Sequence, residues 1–210
     1  MNVFILSTGR AGSMSFERAC RHITNYSAGH ETRSGLLGQR RFDYPQNHIE
    51  SDNRLAWLLG RLEREYGDDA VYVHLIRDPT NTANSFASRA NRGIMRAYRD
   101  GILLGVGEFE SDEMVALDYV DTVNENIRQF LRDKTRAITF ELESVTDRFH
   151  EFWDMIDAEG DYAAAVAEFQ VRHNARGSQG RRSWRRSATV GALRKVVRIA
   201  RTLPAFVRQA

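Results

Sequence analysis

Cysteine is almost missing from this 210-residue chain, where Cys20 stands alone. One thiol closes no internal disulfide and builds no all-cysteine zinc site, which fits a reducing compartment. The six histidines show no metal-ligand spacing, so no metal is expected. No apolar run approaches the roughly 18–20 residues of a membrane span. The opening "MNVFILSTGR" has no basic lead and no small-residue cleavage site, and it reads as a core strand rather than a signal peptide. The expected location is therefore cytoplasmic. Lysine is scarce too: Lys134 and Lys195 are the only ones, so almost every cation is a guanidinium. Arginine is the better fork for phosphate or sulfate, although a GC-rich genome produces the same bias.

The formal net charge of +2 hides an asymmetry. Between Phe169 and Ala210 there are ten arginines, one lysine and no carboxylate, so the rest of the chain is acidic. This divides the chain into an α/β domain over 1–170 and a basic C-terminal segment over 171–210. Within it, residues 191–208 place Leu193, Val196, Val197, Ala200, Leu203 and Val207 on one helical stripe and Arg194, Arg198, Arg201 and Arg208 on another. Such a helix packs its apolar stripe on its own domain or lies on an anionic membrane, here the inner face. Pro204 kinks or ends it. No aromatic platform or nucleic-acid module accompanies the charge, and nucleic acid is not an expected partner.

Apolar and β-branched runs predict strands at 2–7, 25–29, 70–76 and 136–142. Helices are expected over 13–23, from Ser51 or Asp52 to a stop at Gly67, from Pro79 to about Arg92, and over 112–133, 145–157 and 161–169. Residues 32–50 read as polar and irregular. Residues 93–110 carry four glycines and read as a mobile acceptor lid. Strands alternating with helices imply a parallel sheet covered by helices, with ligands at the carboxyl ends of its strands.

Two segments lie at such ends. The first is "STGRAGSMSF" at 7–16, a glycine loop between a strand and a helix, the geometry that aims backbone N–H groups at an anion. Gly9 and Gly12 permit close approach, Arg10 brings a fixed charge and Ser13 a hydroxyl. The nucleotide-kinase loop G-x-x-x-x-G-K-[ST] needs a second glycine five residues after the first and a lysine next to it; here Met14 stands five after Gly9 and no lysine is near. The second is "LIRDPTNTANSFASR", with Arg77 at a strand end and Ser85 eight residues on.

Together these segments resemble the sulfotransferase superfamily that uses 3′-phosphoadenosine-5′-phosphosulfate (PAPS), whose fold is P-loop-like. In that family a [KR]-x-G-[TS] loop holds the 5′-phosphosulfate, and here Arg10-Ala11-Gly12-Ser13 matches it. An arginine before D-P and a serine eight residues later hold the 3′-phosphate, matching Arg77 and Ser85. The resemblance implies PAPS as cofactor, no metal, and Gly9, Arg10, Ala11, Gly12, Ser13, Met14, Arg77 and Ser85 as its contacts. It covers residues 3–90 well. A later family segment is matched only in part by "ARGSQGRRSW", which adds Arg176 and Gly177 as cofactor contacts. The implied acceptor is a hydroxyl on a carbohydrate or glycolipid.

Sulfuryl transfer to a hydroxyl also needs a base. By position after the second strand, and by the resemblance, Glu31 is the leading candidate, with Arg10 stabilising charge. His30 would point the other way if the strand continued, and His74 reads as a core histidine. His48, Asp52 and Asn53 are polar groups able to touch an acceptor, although Asp52 also reads as a helix cap. Two other functions compete: a P-loop nucleotide kinase, and a non-enzymatic membrane or nucleic-acid binder that uses the tail.

Overall fold

The computed structural model describes residues 1–106 and 110–171. Arg176, Gly177 and the stretch 191–208 fall outside them.

Five strands form one parallel sheet in the order β2-β3-β1-β4-β5. They are β1 Val3–Leu6, β2 Ser27–His30, β3 His48–Ser51, β4 Val71–Ile76 and β5 Ala137–Glu141. Side chains alternate across a strand, and in β1 both sets are apolar. Val3 and Ile5 enter one core, with Phe16, Phe149 and Phe152; Phe4 and Leu6 enter the other, with Leu62, Phe86 and Tyr119. Helices therefore cover both faces. Helices α1 Ser13–Cys20, α6 Val145–Met155 and α7 Tyr162–Ala167 cover the first. The second is covered by α2 Leu59–Tyr66, α3 Pro79–Ala87 and the long α5 Asp112–Leu131.

This layout positions the site. Adjacent strands β1 and β4 send their following helices to opposite faces, α1 to one and α3 to the other. The connections diverge there and open a crevice at the carboxyl ends, the switch point where such sheets take ligands. The glycine loop leaves β1 and the Arg77 segment leaves β4.

Three expectations need correction. Strand β3 begins inside the stretch 32–50 read as irregular, and it lies between β2 and β1. The segment "HIES" has one apolar residue, yet all four positions are buried; hydrogen bonds replace the apolar signal. The helix expected from 52 to 66 is broken at Leu58, with a tight turn Asn53–Trp57 before α2. Residues 93–106 are not a free lid. Helix α4 spans Gly93–Ala97, followed by a wide turn Tyr98–Ile102, and Met95 and Tyr98 are buried in the core. No helix among the described residues is long and apolar enough to cross a membrane.

Candidate active site

The loop after β1 turns through three left-handed positions: Gly9 at φ 81°, Arg10 at φ 59° and, beyond Ala11, Gly12 at φ 86°. Arg10 is the costly one, because a side chain in this region is strained by about 1 kcal/mol or more. The turn is held by its neighbours. Thr8 Oγ1 donates to Gly9 O at 2.8 Å, and Gly9 N donates to Ser7 Oγ at 3.2 Å. Tyr119 OH, from α5, donates to Thr8 O at 2.8 Å. Burial pushes that phenol up to about 12, so it stays a donor at neutral pH. Asn53 Nδ2 reaches the same carbonyl at 3.4 Å, and a Cβ at Gly9 would come within 2.9 Å of that nitrogen. A Cβ at Gly12 would stand 2.4 Å from Leu142 Cδ1. Only glycine satisfies both space and φ there.

Gly12 also caps α1, with no side-chain acceptor on the cap and no acidic residue in the first turn. The first N–H groups of Ser13, Met14 and Ser15, and the positive helix end, therefore face the loop without a local anion.

The second grip meets the first. Arg10 Nε donates to Ser85 Oγ at 2.9 Å, and Arg77 Nη1 donates to Arg10 O at 3.3 Å. The two segments, 67 or more residues apart in sequence, meet in space. Burial, then the like charges of Arg89 and Arg77, lowers the Arg10 pKa from its ordinary value. Arg89 lies in the turn just after α3, four residues beyond Ser85, and nothing in the loop motif pointed to it. One carboxylate approaches the cluster: Glu143, with Oε1 3.9 Å from Arg77 Nε. The cluster is thus a concentration of positive charge with one paired carboxylate among the described residues.

On the other side of the loop, Ser13 Oγ and His30 Nε2 lie 3.2 Å apart. This corrects the expectation that His30 points away, since β2 ends at His30 and its ring turns to the loop. Glu31, at φ 53°, follows in the turn, and its carboxylate pairs with Arg54 Nη1 at 2.7 Å. Ser51 Oγ donates to Ser13 O at 3.3 Å and ties β3 to the same place.

Two expected acceptor contacts move. His48 starts β3, at the amino end of the sheet away from the loop, and is buried with both ring nitrogens engaged, Nδ1 with Ser27 Oγ at 2.8 Å and Nε2 with Glu50 Oε2 at 2.9 Å. Asp52 is fully buried and serves as a cap, its Oδ1 accepting from Arg54 N at 2.8 Å. Arg41 Nη2 takes its other oxygen at 2.5 Å. Burial raises the Asp52 pKa against the opposing Arg41 charge. Neither side chain is free to meet an acceptor. Asn53 remains at the site, but against the loop backbone.

Neither a family model nor a curated protein matches this chain. Among solved structures it is similar to one titled "Sulfotransferase Domain from the Curacin Biosynthetic Pathway", with a TM-score of 0.60 and 17% identity over 80% of this chain and 77% of that one. The fold is a sulfotransferase fold. Identity this low speaks for the architecture, and the activity is argued from the site.

Proposed function

We propose that the chain is a sulfotransferase that moves a sulfuryl group from PAPS to an acceptor hydroxyl, on a carbohydrate or glycolipid. The observation that carries this reading is the meeting of Arg77 and Ser85 with the Arg10 loop at the β1–β4 crevice. One ligand with an anion at each end of a nucleoside answers both grips. In this reading the N–H groups at the start of α1, with Arg10 and Ser13, hold the 5′-phosphosulfate. Arg77 and Ser85, with Arg89 nearby, hold the 3′-phosphate. A kinase reading has less support, since the loop lacks the lysine that reaches ATP's terminal phosphates.

The chemistry follows from the neighbours. The acceptor oxygen attacks sulfur as the bond from sulfur to the bridging phosphate oxygen breaks. Arg10 and the loop amides meet the negative charge gathering on that leaving oxygen. The acceptor's proton goes to a base beside the loop. His30 is better placed than Glu31, because its ring already touches a loop hydroxyl whereas the Glu31 carboxylate is held by Arg54. Adenosine 3′,5′-bisphosphate is then the departing product.

Calorimetry tests the assignment. Adenosine 3′,5′-bisphosphate without metal is expected to bind at least about tenfold more tightly than ATP with magnesium, a difference near 1.4 kcal/mol. The reverse order would return the chain to the kinase reading.

A further inference from the structure

We propose that Glu50 is a positioning residue for this reaction: it sets the turn that carries His30 and Glu31 beside the loop. The proposal rests on the sulfotransferase reading for its chemistry, and on β3 for its geometry.

Glu50 occupies the middle of an interior strand, opposite Phe4 on one side and Gly29 on the other, and it is 0% exposed. Packing alone asks for an apolar residue here, because a carboxylate taken out of water is expensive unless fully paired. This one is. Oε1 accepts from Thr32 N at 2.7 Å, Oε2 accepts from Thr32 Oγ1 at 2.6 Å, and His48 Nε2 stands 2.9 Å from Oε2. Burial works to raise its pKa, but the bonds from His48 and Thr32 outweigh it and leave the carboxyl below its ordinary value. His48 is fixed in turn by Ser27, so the chain of contacts has no loose end.

Those bonds converge on one short turn. Thr32 is solvent-exposed, yet its hydroxyl and its N–H both point inward to Glu50. Glu31 N donates to Ser51 O at 3.1 Å. Strand β3 therefore pins the backbone at residues 31 and 32, around a Glu31 held at φ 53°, a conformation that needs external support. Space is cleared for the arrangement by Gly29, where a Cβ would lie 2.4 Å from Thr32 Cγ2 and 3.1 Å from Glu50 Oε2. His30 lies between that glycine and the pinned turn, and its ring reaches Ser13. A misplacement of about 1 Å at a base is enough to lower turnover about 100-fold.

The test uses the full chain with Glu50→Gln, Thr32→Val and Thr32→Ser. Transfer is followed as bisphosphate release from PAPS with octyl glucoside, a carbohydrate hydroxyl, as the probe acceptor. Adenosine bisphosphate affinity and amide hydrogen exchange at residue 32 are read alongside. Glu50→Gln and Thr32→Val are expected to lower kcat about 10–100-fold, with bisphosphate affinity unchanged and protection of the residue-32 amide reduced in Glu50→Gln. Thr32→Ser, which keeps the hydroxyl, restores the rate. Unchanged kcat in Thr32→Val and Glu50→Gln overturns the proposal, and so does an equal loss of bisphosphate affinity, which marks a general packing role. If the wild type neither binds the bisphosphate nor transfers, the functional assignment falls and amide exchange alone decides this point. Lost protection in Glu50→Gln then keeps Glu50 as the residue that orders the turn, and full protection removes it.

Discussion

On one side of the crevice Arg10, Arg77 and Arg89 gather, with Glu143 at 3.9 Å from Arg77 as the carboxylate paired with them among the described residues. On the other, charges come in contacts already made: Arg54 with Glu31, Arg41 with Asp52, and the Glu50 carboxylate with Thr32 and His48. In the proposed reading the first side, with positive charge that few anions answer, takes the sulfate donor, and the second, with its charged groups already paired, positions the acceptor's base. Like charges brought together in a half-buried pocket raise the energy of the protein alone, and an anion that enters relieves it. Paired groups gain little from an incoming ion, but they fix where a side chain points.

Glycine substitutions break this comparison most sharply. Gly12→Ala places a methyl against Leu142 at a left-handed position, which costs about 2–4 kcal/mol from the two effects together. Bisphosphate affinity is expected to fall more than about 100-fold. Gly29→Ala meets the methyl of Thr32, on the turn pinned by Glu50 and away from the Arg10 loop. It is expected to slow transfer while leaving bisphosphate binding within about threefold, less than 0.7 kcal/mol. Titration calorimetry on both variants reads the contrast, and equal losses of binding would erase it.

Acid provides a smaller and graded lever. His74 sits on β4 opposite Leu6, beneath the donor loops, with Nε2 3.1 Å from Asn124 Oδ1. Burial lowers its pKa from 6.5 to about 4. The folded chain therefore holds this ring neutral while the unfolded chain protonates it. The stability tied to it is complete above pH 6.5 and drains as pH falls toward about 4, amounting to about 3 kcal/mol. Glu50 shifts downward instead and keeps its charge into more acid solution. Hydrogen exchange between pH 6.5 and 4 should loosen residues 74–78 before residues 29–34. His74→Gln should flatten the slope of unfolding free energy over that range, and a slope equal to the wild type's would assign the acid sensitivity elsewhere.

The same contrast explains how much the sequence disclosed. The cluster of Arg10, Arg77 and Ser85 is written in two short segments, each recognisable by its own local pattern at the end of an apolar strand, although they meet only in the fold. The sequence therefore showed both segments and the strands β1 and β4 that carry them. The acceptor side depends on β3, a strand of polar residues whose burial is made possible by partners up to about 20 residues away, such as Ser27 for His48 and Thr32 for Glu50. No periodicity marks it. Without β3, His48 looked like a loop residue, Asp52 looked open to solvent, and His30 had no reason to face Ser13.

The central claim is that two grips take opposite ends of one nucleotide. It is tested most directly by titrating wild type and Arg77→Ala with adenosine 3′,5′-bisphosphate, adenosine 3′-monophosphate and adenosine 5′-monophosphate. A charge-assisted contact to the 3′-phosphate predicts that Arg77→Ala weakens the first two by about 10–100-fold, from roughly 1.5–3 kcal/mol, and leaves the third unchanged. Equal weakening of all three, or none, would contradict it.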